Sequence, residues 1–244
     1  VNRLDPNMTT VRTFLFGIVL LIGLVVSTSA SSVELDGNLV IQTKFGQIQG
    51  LTENGVDKWK GIPYAAPPNG QRRFALPVDP QPWTGVKKTT APASICPQIH
   101  VLGHWLGNED CLYANVYAPS NRTEPLPVFV WIYGGGWNFG DGIEFGLYEA
   151  ENFVNANNVI VVTFNYRLGP LGFLSLPALK KEGQGSVGSY AIYDQIHLLQ
   201  WVQNNIAAFG GEPDKVTIGG ESAGAFSTCI HIASPLSKGL FRGA

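Results

Sequence analysis

Three runs in the chain are apolar at nearly every position: VFVWIY at 128–133, VIVVTF at 159–164 and VTIG at 216–219. Runs this short, rich in Val and Ile and without polar alternation, suit strands covered on both faces, as in a parallel sheet. Between the second and third runs, Ile192, Ile196, Leu199, Val202 and Ile206 step by four, three, three and four positions, which puts them on one face of a helix. Ser189 stands at its start as a candidate cap, and Gly210 with Gly211 at its stop. A second apolar stretch, AFSTCIHIA at 225–233, reads as the helix that follows the third strand. Strand, helix, strand, turn, helix in this order predicts a doubly wound, mostly parallel α/β domain.

Before these runs the pattern is less regular. LVIQTKFGQIQG at 39–50 reads as two short strands around a turn, whereas GIPYAAPPNGQRRFALP at 61–77 is too rich in Pro and Gly for any long element. Near the amino terminus, Arg12 precedes an apolar stretch from Phe14 to Val26, which gives way to the small residues Thr28, Ser29 and Ala30. This is the pattern of a secretory signal peptide over 8–30. Read as a helix, the apolar part is about 20 Å long, short of the roughly 30 Å hydrocarbon core that a membrane anchor must cross. Val1 to Asn7 precede Met8, the only methionine, and read as a read-through leader, untranslated sequence ahead of the start. A mature chain beginning near Ser31 would enter an oxidising, extracellular compartment.

Composition narrows the function. With 16 basic and 18 acidic residues the net charge is −2, no basic stripe is present, and nucleic acid is excluded as a natural partner. There are three cysteines, an odd number. Cys96 and Cys111 enclose a polar loop containing Pro97, Gly103 and Gly107, which suits a disulfide clip, and Cys229 in the apolar helix reads as a small buried hydrophobe. The cysteines and the four histidines show no metal-ligand spacing, so neither metal nor organic cofactor is implied. Asn121, in the polar stretch PSNRTEPLP, heads an N-glycosylation sequon.

The chemistry concentrates in VTIGGESAG at 216–224. Ser222 lies between Gly220 and Gly224, after a strand and before a helix, which is the setting of a nucleophile elbow. Upstream, IYGGGWNFG at 132–140 places Gly134, Gly135 and Gly136 directly after a strand, where bare backbone N–H groups can approach a ligand. Gly135, Gly136 and Ala223 form a candidate donor set for an oxyanion. Trp137 follows as a wall of an acyl site or as a core aromatic.

FGGEPDKVTIGGESAG at 209–224 resembles the serine active-site signature of the type-B carboxylesterase and cholinesterase-like family, and EDCLYANVYAP at 109–119 its second signature, with Ala114 where a larger aliphatic residue is usual. GIPYAAPPNGQRRFALP, WIYGGGWNFG, NYRLGPLGFL and YDQIHLLQWVQNNIAAFGG are similar to further blocks of that family, in its order, and the likeness runs from about residue 33 to the end. The resemblance implies the α/β-hydrolase fold and a serine hydrolase acting on small carboxylic esters. It implies Ser222 as nucleophile, Gly135, Gly136 and Ala223 as oxyanion donors, Cys96 with Cys111 as a disulfide, and an electrostatic role for Glu221. Arg167 and Asp194 fall in family blocks as structural residues.

One part of the pattern is missing. In this fold the acid and histidine of the triad follow the serine, yet Ala223 to Ala244 contain no Asp or Glu. The single later histidine, His231, lies on the opposite helix face about 13 Å along from the serine and does not suit a base. His100, His104 and His197 precede the serine. The sequence is therefore read as the amino-terminal part of such an enzyme, inactive without the remaining triad. A non-catalytic adhesion ectodomain and a lipase of the same family are the alternatives. Against the lipase stands the short Cys96–Cys111 loop, and Trp105 within it does not match the choline-binding tryptophan of cholinesterases.

Overall fold

The structure, a computed structural model, describes residues 39–99, 103–182 and 187–244. The leader, the signal peptide and His100 lie outside the described residues. In chain order the strands are β1 (Val40–Gln42), β2 (Gln47–Gln49), β3 (Leu51–Glu53), β4 (Val56–Pro63), β5 (Val86–Lys88), β6 (Gln98–Ile99), β7 (Trp105–Leu106), β8 (Tyr113–Pro119), β9 (Leu126–Ile132), β10 (Ile160–Phe164) and β11 (Gly211–Gly220). The α-helices are α1 (Glu151–Asn157), α2 (Gly169–Phe173), α3 (Pro177–Glu182), α4 (Tyr190–Asn205) and α5 (Ala223–Ala233).

All three apolar runs are strands of one six-stranded sheet, ordered β11-β9-β10-β8-β4-β3. Strands β10 and β11 both pair parallel with β9, with Ile160 opposite Val128 and Ile218 opposite Val130. The other half of the sheet is antiparallel: β8 runs against both β10 and β4, and β3 runs against β4. The sheet is thus mixed, and the expectation of a mostly parallel sheet holds for its β9, β10 and β11 part. The antiparallel half begins with a tight hairpin: Asn54 and Gly55 turn β3 into β4 with φ of 52° and 77°, the pair of positive angles that such a two-residue turn requires. As expected, β1 and β2 form an antiparallel pair, and β5 adds to them as a third strand.

Helix α4 buries Ile192, Ile196, Leu199 and Val202, the stripe its spacing predicts. A 3-10 turn, Ile206–Phe209, continues it and ends at Gly210 in the left-handed region, φ 83°. Ser189 occupies the cap position, but its side chain makes no capping hydrogen bond. Asp194, wholly buried on α4, receives Arg167 Nε at 2.8 Å and Nη2 at 2.7 Å. The remaining Arg167 nitrogen, Nη1, donates to the carbonyls of Arg73 and Ala75, so the pair ties the irregular 73–75 segment to the core helix, a structural role as expected.

Helix α5 corrects one expectation. Its buried positions are Ala223, Gly224, Ser227, Thr228 and His231, while Phe226, Ile230 and Ile232 are exposed. Cys229 shares that outward face and is an exposed free thiol, not a buried hydrophobe. At its first turn the helix packs closely on the end of β9, where a Cβ on Gly224 would overlap the Ile132 carbonyl oxygen. Cys96 and Cys111 are disulfide-bonded, and the β6–β7 hairpin lies inside their loop. Asn121 is exposed on the turn after β8. Among the described residues, no helix is long and apolar enough to cross a membrane.

Candidate active site

Strand β11 ends at Gly220 and helix α5 starts at Ala223, so Ser222 sits on the connection between them. Its backbone adopts φ 54° and ψ −119°, a region that residues with a side chain rarely enter. The two flanking glycines are demanded by packing. A Cβ at Gly220 would lie 2.5 Å from both the Ile132 carbonyl oxygen and the Gly224 carbonyl carbon, and a Cβ at Gly224 would overlap the same Ile132 oxygen. Strand β9 therefore presses against the turn from below, and Ser222 is held on top, exposed.

The glycine loop begins where β9 stops. A Cβ built on Gly134 would stand 3.0 Å from the Cβ of Ser222 and 2.8 Å from the carbonyl oxygen of Glu221, so the loop lies directly against the serine. Stacked Tyr133 and Tyr166, with ring centroids 4.3 Å apart, fix its base, and Tyr166 Oη donates to the Tyr133 carbonyl at 2.7 Å. Gly135, Gly136 and Trp137 then follow with φ of 86°, 60° and 58°. A Cβ at Gly135 would collide with the Phe139 carbonyl, whereas Gly136 is open apart from the Asn138 amide. The turn closes by hydrogen bonds from the N–H groups of Asn138 and Phe139 to the Gly135 carbonyl, at 3.0 and 3.3 Å.

Among the described residues, the backbone N–H groups of Gly135, Gly136 and Ala223 have no acceptor, and neither does the Ser222 hydroxyl have a partner. Ala223 opens a helix of 11 residues, whose dipole favours negative charge at that end. Glu221 is exposed, its carbonyl accepting from Gly224 N–H at 2.8 Å and its carboxylate lying beside Gly134.

The histidines lie elsewhere. His231 is buried, with Nε2 2.8 Å from Gln195 Oε1 and Nδ1 3.0 Å from Ser237 Oγ, and burial lowers its pKa to about 4. His197 faces Asp79 at 3.3 Å, and burial lowers its pKa too. His104 is exposed on the disulfide loop. Sequence reasoning missed Ser227, Gln195 and Gln98. Ser227 Oγ accepts from Trp137 Nε1 at 3.0 Å and from Gln195 Nε2 at 3.2 Å, and Gln98 bonds both polar backbone atoms of Gly140. Their signal in sequence is no more than three polar letters near glycine or aromatic ones.

Two clefts adjoin the glycine loop. One, of about 420 Å³, is lined by Ile99, Trp105, Phe139, Leu168 and Leu171. The other, of about 450 Å³, is lined by Gly136, Trp137, Pro170 and Phe173. A separate groove between Phe129, Trp131, Tyr148 and Phe153 involves neither the glycine loop nor Ser222. Among the described residues, no group of His, Cys, Asp or Glu is placed to hold a metal ion.

Residues 37–244 match the carboxylesterase family. The chain is 47% identical over 211 residues to a para-nitrobenzyl esterase of Bacillus subtilis (strain 168), which covers 84% of this chain and 42% of that protein. It is 41% identical over 230 residues to an acylcarnitine hydrolase of Mus musculus, covering 86% and 40% respectively. A thermophilic PNB esterase structure superposes with a TM-score of 0.78 at 44% identity, over 84% of this chain and 43% of that one. A Geobacillus stearothermophilus carboxylesterase gives a TM-score of 0.77 at 41% identity, over 84% and 42%. The chain thus spans 40% to 42% of the length of these two curated relatives.

Proposed function

The chain belongs to the carboxylesterase family, and on that premise we propose that the protein hydrolyses carboxylic esters through an acyl-enzyme formed on Ser222. The observation that carries this reading is the strained, exposed Ser222 with the glycine loop packed against it and three unpaired N–H groups on the two elements that flank it. In the proposed reaction Ser222 Oγ forms a bond to the ester carbonyl carbon while its proton passes to a histidine. That histidine is expected after Ser222 from the order of the family's triad. The carbonyl oxygen becomes an oxyanion, which the N–H groups of Gly135, Gly136 and Ala223 would receive, each donor typically worth about 100- to 1000-fold in rate. Collapse of this intermediate breaks the bond to the alcohol, which leaves with the proton from the histidine. Water then repeats the sequence to release the acid. Glu221, beside Gly134, would bias the field at the site. His231 is left out of this chemistry because both its ring nitrogens are engaged inside the protein.

By their names the relatives act on para-nitrobenzyl esters, on acylcarnitines and, for one of Rattus norvegicus, on pyrethroids. Ile99, Trp105, Phe139 and Leu171 beside the glycine loop support a preference for esters with an apolar part. Secretion is proposed from the apolar stretch Phe14–Val26 and is consistent with the Cys96–Cys111 disulfide. The exposed turn at Asn121 suits a glycan, which a mobility shift on glycosidase treatment would reveal.

The esterase reading is tested by labelling the full-length protein with a fluorophosphonate and mapping the modified peptide. A single adduct at Ser222, lost in Ser222→Ala, is expected. Labelling that persists in Ser222→Ala overturns the assignment.

A further inference from the structure

Trp137 holds a left-handed backbone conformation, φ 58°, although its side chain is large and the two residues before it are glycines with the same sign of φ. Glycine enters this region freely, but a bulky residue stays there only when its surroundings hold it. Three ties do so. The Trp137 carbonyl accepts from the Gly169 N–H at 2.7 Å. Its ring packs against Phe173 and Phe226, with centroids 5.7 and 6.1 Å away. Its indole Nε1–H donates to Ser227 Oγ at 3.0 Å.

The third tie crosses between the two parts of the proposed oxyanion site. Gly135 and Gly136 belong to the loop, whereas Ala223 belongs to α5, as does Ser227 one turn further on. Ser227 is itself immobilised. It is fully buried and accepts from Gln195 Nε2 at 3.2 Å, and Gln195 Oε1 meets His231 Nε2 at 2.8 Å, which joins α4 to α5 by a chain of polar groups. Ring packing alone tolerates sliding, because it has no directional atom, but a hydrogen bond at a buried hydroxyl fixes register.

We infer that Trp137 is a positioning residue for ester hydrolysis: its indole N–H, through Ser227, clamps the glycine loop to the nucleophile helix so that the donors on both converge on one oxygen. This rests on the esterase reading. It accounts for why a strained tryptophan directly follows the glycines and why a buried serine sits among small residues on the inner face of α5. A displacement of about 1 Å between catalytic groups can cost about 100-fold in rate, so a clamp of this kind is within reach of kinetics.

The test uses the full-length protein and a chromogenic short-chain ester. Trp137→Phe keeps a ring between Phe173 and Phe226 and removes the N–H. The clamp predicts that kcat falls about 10- to 100-fold while KM changes by less than about threefold, the signature of an interaction needed only in the transition state. Amide exchange over residues 134–140 rises in the same variant. Ser227→Ala gives a comparable fall, and the double variant falls no further, because the two side chains act as one unit. An unchanged kcat in Trp137→Phe overturns the inference and leaves the role of Ser222 standing, provided that Ser222→Ala is inactive. Additive losses in the double variant, or a fall in kcat with no change in exchange over 134–140, overturn it as well. Absence of turnover and of Ser222 labelling in the unmodified protein overturns the esterase reading and the clamp together.

Discussion

Gly224 lies so close to Ile132 that a methyl group on it would overlap the Ile132 carbonyl oxygen. Helix α5 therefore rests on the last residue of β9 with no side chain between them. Gly224→Ala must lift the helix away from the strand, and with it Ser222 and the Ala223 N–H. A loss of about 1–3 kcal/mol is expected, the usual range for overpacking, together with a fall in ester turnover. Urea unfolding of the full-length variant checks the first, and a chromogenic ester assay the second.

The parts of this fold that depend on continuous apolar runs are plain in the sequence. Strands β9, β10 and β11 and helix α4 stand where the pattern puts them because both faces, or one whole stripe, are buried. Strand β4 is hidden because it buries polar residues whose partners are largely remote in sequence. Lys58 is almost wholly buried yet meets Glu53 at 2.7 Å and Glu151 at 2.5 Å, the latter 93 positions away. Asp57 is buried against Arg122 at 2.6 Å, and Asn115 holds Thr163 across the sheet at 3.0 Å. The elbow and the glycine loop were legible because close approach at Gly134, Gly135, Gly220 and Gly224, and a positive φ at Gly136, favour glycine. The outward turn of Cys229 was not, since hydropathy alone places the apolar face of α5 inward, whereas the inward face carries Gly224 against Ile132 and the hydrogen-bonded Ser227, Thr228 and His231.

The buried Arg167–Asp194 pair gives a second expectation. Both nitrogens facing Asp194 are bonded, and Asp194 Oδ2 also accepts from the Arg167 backbone N–H at 3.1 Å. Asp194→Ala leaves the guanidinium charge buried and unpaired, a change that typically costs about 3–5 kcal/mol. The loss should appear in equilibrium unfolding of the full-length protein. With Asp194 intact, Arg167→Lys should also be destabilising, because an ammonium cannot span both carboxylate oxygens while also reaching the carbonyls of Arg73 and Ala75.

His231 gives a pH-dependent expectation. Burial lowers its pKa from 6.5 to about 4 in the folded protein, and unfolding restores the ordinary value. Between these values the unfolded chain binds the extra proton and the folded one does not, so stability is complete above pH 6.5 and falls as the pH drops toward 4. The loss is on the order of 3 kcal/mol over that window. His231→Gln should be less stable at neutral pH, since it loses contacts to Gln195 or Ser237, but it should lose less on acidification. Unfolding curves at several pH values decide this: a gap between the two proteins that stays constant from pH 7 to about pH 4 would show that His231 does not titrate in this way.

The last expectation links the disulfide to the proposed active site. Gln98, two residues after Cys96, donates from Nε2 to the Gly140 carbonyl at 3.0 Å and accepts from the Gly140 N–H at 2.8 Å. Its Nε2 also donates to the Cys96 carbonyl at 3.1 Å, so the cysteine backbone, the glutamine and the end of the glycine loop form one buried unit. Cys96 and Cys111 are 15 positions apart, and closing a loop of that length is worth about 3 kcal/mol in the chain-entropy model. A Cys96→Ala/Cys111→Ala variant of the full-length protein should lose about that much stability. It should also show faster amide exchange at Gly140 and lower kcat. Gln98→Ala separates the two effects: the disulfide remains, most of the global stability is kept, and exchange at Gly140 still rises. If Gln98→Ala leaves Gly140 as protected as before, the disulfide acts on stability alone and has no hold on the glycine loop.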